Sequence, residues 1–237
     1  MKLIWKFNIA ILAVAAVTFA LAAVVSYTVL HANARDEVLQ NARVMMESAN
    51  ASGDYTNAQV RPLLETQLKY KFIPQSVPAF AATEIFNYLR EKYPEYTYKE
   101  ATLNPTNLRD RSSDWEADVI NQFRNNNELK ESQGNRETPT GVALFYARPI
   151  KITNESCLKC HNTPNEAPPE MLKQYGMANG FGWKMNEIIG AQVVTVPMSV
   201  PLKVADDAFH VITMWLLGAY GAIVVVGNIC VAFVARG

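Results

Sequence analysis

The chain has 237 residues, and its 22 basic and 22 acidic side chains give a formal net charge of zero. Because there is no basic excess, the composition does not favour a nucleic-acid-binding protein, and no acidic run indicates a disordered tail. The charged residues are concentrated in the middle of the chain and are nearly absent from both ends.

Two long apolar segments flank this charged middle. Residues 8–30 carry no charged side chain, and residues 208–235 contain no Asp, Glu, Lys or Arg. Each exceeds the roughly 20 residues that an α-helix needs to cross a bilayer, so both are predicted to be transmembrane helices surrounded by membrane lipid. The first is also longer than the apolar core of a secretory signal, roughly 7–15 residues, which favours an uncleaved anchor. Ala32-Asn33-Ala34 resembles a signal-peptidase site, so a cleaved signal is the alternative.

The basic residues beside the two segments predict their orientation. Lys2 and Lys6 precede the first segment and Arg236 follows the second, so the positive-inside rule places both termini in the cytoplasm. The protein is therefore expected in the cytoplasmic (inner) membrane with its main domain in the periplasm. The predicted segments outside the membrane are a cytoplasmic N-terminus (1–7), a periplasmic domain (31–207) and a cytoplasmic tail (236–237).

The periplasmic segment reads as helices first and strands later. Helical spacing continues after the first span until Gly53-Asp54, which predicts one long N-terminal helix. The elements predicted after it are a short helix at 60–64, an irregular segment at 69–78, a helix over 79–92, a strand at 96–103, a helix from Asp114 as N-cap to Asn125, a polar loop at 125–140, a strand at 141–150, a short helix at 170–175 and a strand at 188–200. The helix over 79–92 is expected to bury Phe80, Thr83, Ile85, Phe86 and Leu89. This order indicates an α+β domain with an antiparallel sheet.

The strongest chemical signal is the motif Cys157-Leu158-Lys159-Cys160-His161. Its spacing is the attachment pattern of a c-type haem, in which two thiols form thioethers and the histidine binds the iron. We therefore predict one covalent haem c with His161 as an axial ligand. A zinc site would need four ligands, and the third cysteine, Cys230, lies in an apolar segment. A thioredoxin-like pair would open a helix after a strand, whereas Asn162-Thr163-Pro164 follows here.

The second axial ligand is not fixed by the sequence. Met45 or Met46 on the long helix is a candidate thioether ligand, as in His/Met cytochromes, and a five-coordinate iron is the alternative. Further methionine candidates are Met177, Met185 and Met198. His31 and His210 fall near the predicted membrane boundary, where they either meet each other or act as interfacial polar residues.

Other residues have the chemistry to contact a haem. Arg61, Arg148 and Lys184 are candidates to pair with the propionates, since guanidinium groups bind carboxylates well, although surface cations are also common. The candidates to pack on the macrocycle, or alternatively in an ordinary core, are Tyr175, Phe181 and Trp183. Three glycines in 176–183 would let the backbone approach a flat ligand closely.

Short motifs along the domain also resemble those of a known family. They include Arg61-Pro62-Leu63-Leu64, Pro78-Ala79-Phe80-Ala81-Ala82-Thr83-Glu84, Asn104-Pro105-Thr106-Asn107, Trp115-Glu116, Ala147-Arg148-Pro149-Ile150, Tyr175-Gly176, Asn179-Gly180-Phe181-Gly182-Trp183-Lys184, Gly190-Ala191-Gln192 and Val196-Pro197-Met198, in addition to the cysteine motif. Together they resemble the periplasmic PAS-like domain family that carries a c-type haem, formerly described as a domain of unknown function. The resemblance implies a PAS-like sheet holding one covalent haem. Many members carry a cytoplasmic signalling module, whereas only two residues follow the second predicted span here.

These observations lead to one main functional hypothesis. We expect a membrane-anchored mono-haem c-type cytochrome that transfers electrons in the periplasm or is the redox-active subunit of a membrane complex, with a membrane-protein or redox partner. The alternative is a haem-based sensor of redox state or a small gas that signals through a separate partner. A peroxidase- or reductase-like enzyme ranks last, because the sequence shows no acid–base constellation.

Overall fold

The computed structural model describes residues 2–234, and the side chains of residues 5–233. The side chain of Lys2 and residues 235–237, which contribute to the predicted orientation and cytoplasmic tail, lie outside the described residues. The chain divides into two compact units, one formed by residues 1–37 and 198–237 and the other by residues 38–197.

The elements fall in the order that the sequence predicts, with one additional strand and two additional short helices. The helices are α1 (Lys2–Tyr55), α2 (Arg61–Leu63), α3 (Glu65–Leu68), α4 (Pro78–Arg90), α5 (Asp114–Asn125), α6 (Leu158–His161), α7 (Pro169–Tyr175) and α8 (Ser199–Val234). The strands are β1 (Thr97–Thr102), β2 (Ser132–Thr138), β3 (Gly141–Lys151) and β4 (Ile188–Pro197). A π-helical turn, Thr56–Val60, links α1 to α2.

The first unit contains α8 and the N-terminal part of α1, up to residue 37. Two helical stretches, Trp5–Leu63 and Ser199–Phe233, are long and apolar enough to cross a membrane by their length and composition. Within this unit, Nε2 of His31 lies 3.0 Å from Oδ1 of Asp206, and the ring of Tyr27 contacts that of Phe209. His31 is therefore paired with an aspartate on α8, and among the described residues it makes no hydrogen bond or ring contact with His210.

The second unit is built on one four-stranded antiparallel sheet, with the strand order β1-β4-β3-β2. The predicted α+β class, with its antiparallel sheet and long N-terminal helix, is confirmed. The predicted strand over 188–200 is three residues too long, because β4 ends at Pro197 and α8 begins at Ser199.

Helix α5 covers one face of the sheet. Val119, Ile120 and Phe123 are buried on this helix, and they pack against Ala101, Ala147, Ala191 and Val193 of the sheet. The predicted N-cap is wrong by one residue. Ser113 caps α5, and the Glu116 side chain accepts a hydrogen bond of 2.7 Å from the Ser113 backbone N–H, which completes a capping box.

Helix α1 lies against the opposite face, where the side chains alternate with those that meet α5. Glu100, Gln192 and Arg148 are register neighbours across three strands on this face. Arg148 donates to Glu47 at 2.7 Å and Gln192 donates to Asn50 at 2.9 Å, so polar contacts tie the helix to the sheet.

Two further expectations about the second unit are wrong. Residues 125–140 were predicted to be a loop, but they contain the polar edge strand β2. The Phe145 ring packs closely against Gly134 of this strand, where an added Cβ would lie 2.7 Å from the ring. On α4, Ile85 is 50% exposed and Leu89 is 36% exposed. The buried stripe of this helix is narrower than predicted and consists of Ala82, Thr83 and Phe86.

Candidate cofactor site

A cleft of about 1120 Å³ opens in the second unit between the end of α1, α4, β1, the cysteine motif and α7. Pockets for drug-sized ligands are typically ~300–1,000 Å³, so this cleft is large enough for a larger flat molecule. Cys157, Cys160 and His161 all line it, as the motif predicts for a cofactor attached at this point.

Local structure brings the three motif residues to the same wall. A 3-10 turn, Glu155–Cys157, leads directly into α6. The Asn154 side chain accepts a hydrogen bond of 2.8 Å from the Ser156 backbone N–H, which caps the turn. Residues three apart in a helix share a side, so Cys157 and Cys160 both face the cleft, where they are half-buried.

His161 is held in one orientation. Its Nδ1 lies 2.8 Å from the carbonyl oxygen of Gly180, and because a carbonyl only accepts, Nδ1 carries the proton and donates. The Thr106 hydroxyl lies 3.3 Å from the same nitrogen, and the Trp183 ring stacks on the imidazole at 3.8 Å. Burial lowers the pKa of His161, and the hydrogen bond with the Gly180 carbonyl opposes this.

The other ring nitrogen of His161, Nε2, is the atom that could bind a metal. In the neutral ring with the proton on Nδ1, the lone pair is on Nε2, which has no hydrogen-bond partner within the described part of the chain. Histidines that bind metals usually donate their second N–H to a carbonyl or carboxylate, which fixes the tautomer. A histidine whose Nδ1 donates to a carbonyl and whose Nε2 has no other partner fits a ligand of haem iron.

The segment that positions His161 depends on a glycine. Gly180 has a φ of +83°, and a Cβ there would lie 2.8 Å from Cα of Thr106. Its backbone N–H donates to the Asn104 side chain at 3.1 Å, and the same side chain donates to the Phe181 carbonyl at 3.2 Å. Only glycine therefore allows this close approach to the turn at 104–107.

Charged side chains of both signs line the cleft, and the carboxylates are Glu47, Asp54, Glu100, Asp110 and Glu170. Of the three predicted propionate partners, Arg61 lines the cleft, whereas Arg148 and Lys184 are not among the lining residues. Arg148 instead donates to Glu47 and to the Tyr146 hydroxyl. The lining cations that the sequence did not single out are Lys69, Lys71, Arg109 and Lys151. Burial raises the pKa of the Cys160 thiol, and the charge of Arg61 opposes this.

Two of the three predicted aromatic residues line the cleft, and none of the predicted methionines does. Trp183 and Tyr175 line the cleft and Phe181 does not. Neither Met45 nor Met46 lines it, and Met46 is fully buried in the core. Of the other candidates, Met177 and Met185 are exposed and Met198 belongs to the first unit. Among the described methionines, the one that lines the cleft is Met171, which the sequence did not suggest.

The carboxyl group of Glu100 was also not predicted to lie at the site. Glu100 lines the cleft and accepts a hydrogen bond of 2.8 Å from the Tyr98 hydroxyl, which in turn accepts one of 3.0 Å from Gln192. Burial raises the pKa of Glu100 to about 7, the Tyr98 hydrogen bond opposes this, and the charge of Asp110 adds to it. The strand alternation of 97–102 was a usable signal, because it puts Glu100 on the same side as the buried Tyr98.

The fold and the cleft define a class: an α+β domain with a four-stranded antiparallel sheet, flanked in sequence by two helices able to span a membrane. The family model described as Tll0287-like matches residues 31–197, which is more than half of the chain. The chain belongs to the Tll0287-like family, in agreement with the resemblance to PAS-like domains that carry a c-type haem.

A solved structure supports the same fold. The crystal structure of the cyanobacterial heme-protein Tll0287 is similar to this chain with a TM-score of 0.51 and 16% sequence identity. The alignment covers 68% of this chain and 95% of that one, so the likeness extends over nearly the whole of the solved protein. The comparison with curated proteins gave no match.

Proposed function

We propose that this protein is a membrane-anchored mono-haem c-type cytochrome, with one haem attached through Cys157 and Cys160 and bound axially by His161. The observation that carries the proposal is the geometry of His161 in a large cleft. Its Nδ1 donates to Gly180, its Nε2 is available, and both motif thiols lie on the same wall. The similar solved protein, Tll0287, is itself a heme-protein, which supports the same cofactor here.

A bound haem supplies reversible one-electron chemistry at its iron. The protein's part is to hold and surround it. Gly180 and Thr106 fix the imidazole, and Trp183 keeps its plane in place by stacking. Arg61 and the neighbouring cleft cations are suited to the propionates, because charge-assisted hydrogen bonds to carboxylates are strong. Glu100 brings a carboxyl group into the same cleft.

The proposed role is electron transfer in the periplasm, either alone or as the redox-active subunit of a membrane complex. Two candidate spans at the ends of the chain support membrane anchoring. The proposed boundaries are a cytoplasmic N-terminus at 1–7, spans at 8–30 and 208–235, a periplasmic haem domain at 31–207 and a cytoplasmic tail at 236–237, in the inner membrane. Lys6 before the first span favours this orientation.

One observation favours a second candidate, a haem-based sensor that acts through a partner protein. Helix α1 is continuous from Lys2 to Tyr55, and Glu47 and Asn50 near its end line the cleft. A change at the cofactor would therefore act directly on the helix that includes the first candidate span.

Spectroscopy of the purified full-length protein tests both candidates. Low-spin spectra in both oxidation states without carbon monoxide binding support electron transfer, and reversible gas binding by the reduced protein supports a sensor. A Cys157→Ala variant should keep the fold but change the pyridine haemochrome band, because one thioether is lost. A wild-type protein that shows no haemochrome would overturn the proposal. Orientation is tested separately, by labelling single cysteines introduced at exposed sites of 31–207 in intact and in permeabilised cells.

A further inference from the structure

A second cavity, a groove of about 460 Å³, lies beside the cleft within the second unit. It is bounded by α4, β1, the first turn of α5 and parts of β2 and β4. Thr83, Arg109 and Asp110 line both the groove and the cleft, so they form the wall between the two. None of the three motif residues lines the groove, which is therefore separate from the proposed haem attachment site.

The groove has an excess of positive charge. Four cations line it, namely Arg90, Lys99, Arg109 and Arg136, against the two carboxylates Asp110 and Glu116. Both carboxylates already have partners in the protein. Glu116 lies 2.8 Å from Lys99 and accepts from Ser113, and Asp110 lies 3.8 Å from Arg109, which also pairs with Glu84.

The remaining two cations have no internal counter-charge. Arg90 and Arg136 form no ion pair with a carboxylate in the described part of the chain. The Arg136 guanidinium lies 4.2 Å from the centre of the Trp115 ring. Stacking on an aromatic ring holds the guanidinium plane and leaves its N–H edge available for a bidentate contact with an oxyanion.

A hydroxyl in the groove is also without a partner in the protein. Thr195 lines the groove, and its Oγ1 is accessible and makes no hydrogen bond within the described residues. It can therefore donate a hydrogen bond to a ligand in the groove. Thr195 is the register partner of Thr97, which places a second hydroxyl-bearing residue beside it in the groove.

We propose that this groove binds a small oxyanion of the carboxylate or phosphate class. Arg136 and Arg90 supply the charge, and the Thr195 hydroxyl donates a hydrogen bond to the bound anion. The recessed volume favours a small ligand over the acidic surface of a partner protein, which would meet a flatter face. The site does not depend on the haem proposal, because its contacts come from other residues.

Isothermal titration calorimetry on the full-length protein in detergent, at constant ionic strength, tests the proposal. Malonate is the carboxylate probe and inorganic phosphate is the phosphate probe. We expect saturable binding of at least one of them, and Arg136→Gln should weaken it by about tenfold or more, since hydrogen bonds to charged groups contribute about 1.5–3 kcal/mol. Thr195→Val should weaken it by about threefold or more, consistent with a neutral hydrogen bond.

The control is Lys92→Gln, which removes the same charge from an exposed position outside the groove. Its affinity should match that of the wild type, and circular dichroism should show all three variants folded. Should Arg136→Gln unfold, Arg90→Gln on the exposed side of α4 replaces it in the same comparison. The proposal is overturned if neither probe binds saturably, if Lys92→Gln weakens binding as much as the groove variants do, or if only an acidic protein partner binds.

Discussion

Glu100 is only partly exposed and its carboxyl group has a raised pKa, so its replacement by glutamine should change the stability of the fold in a pH-dependent way. The glutamine is nearly isosteric and keeps an oxygen that accepts the Tyr98 hydrogen bond. It removes only the ability to ionise. Because an ionised carboxylate is costly to bury, Glu100→Gln is expected to stabilise the protein where wild-type Glu100 is charged.

The size of the effect follows from the pKa. Folding raises the pKa of Glu100 from 4.5 to about 7, mainly through burial. Each pH unit by which a pKa moves corresponds to about 1.4 kcal/mol, so the penalty has an upper limit of about 3 kcal/mol. Between these two pKa values the folded state binds more protons than the unfolded state does. Wild-type stability therefore falls as pH rises through this window and is constant above it.

The assay is guanidinium unfolding of the full-length protein in detergent, followed by tryptophan fluorescence at about pH 5 and about pH 8. The stability of Glu100→Gln relative to the wild type should be greater near pH 8 than near pH 5, by roughly 1–3 kcal/mol. Glu137→Gln, on the exposed side of edge strand β2, is the control and should show no such difference between the two pH values. Equal effects of Glu100→Gln at both pH values would refute the reasoning.

The remaining predictions concern packing and backbone conformation. Gly180→Ala should lower the midpoint of thermal unfolding and the amount of bound haem more than Gly182→Ala does. Both glycines have positive φ, but only at Gly180 would an added Cβ clash with Thr106. Equal losses in the two variants would contradict this. Ser113→Ala should cost about 1 kcal/mol by removing the α5 cap, measured by denaturant unfolding, and an unchanged midpoint would contradict the capping geometry. Phe123→Ala should cost about 3–5 kcal/mol in the same assay, because its side chain is fully buried, and a loss below about 1 kcal/mol would contradict that packing.

Much of the fold was predictable because it depends on local patterns. The apolar runs, the helical spacing through residue 52 and the strand beginning at Gly141 are repeated signals over many residues. The polar strand β2 was missed for a physical reason. It lies at the sheet edge with polar residues on both sides, so it lacks the alternation that marks a half-buried strand, and only its pairing with β3 defines it.

The candidate site was most predictable where the chemistry is contiguous in sequence, although Arg61, Tyr175 and Trp183 were also predicted and line the cleft. Cys157, Cys160 and His161 form one motif, and the structure places all three at the cleft. Glu100 and Met171 reach the cleft through the tertiary fold, because sheet register and the packing of α7 decide which side chains face it. Arg148 was predicted to contact the cofactor but is not among the residues that line the cleft, because it pairs with Glu47 of α1 instead.

The central claim is that a haem is bound covalently to Cys157 and Cys160. Intact-mass spectrometry tests it most directly, on full-length protein produced in a host that matures c-type cytochromes and extracted with acidified acetone to remove non-covalent haem. The account predicts a mass increased by one haem, and loss of that increase when both cysteines are replaced by alanine. A wild-type mass equal to that of the bare polypeptide would contradict the account.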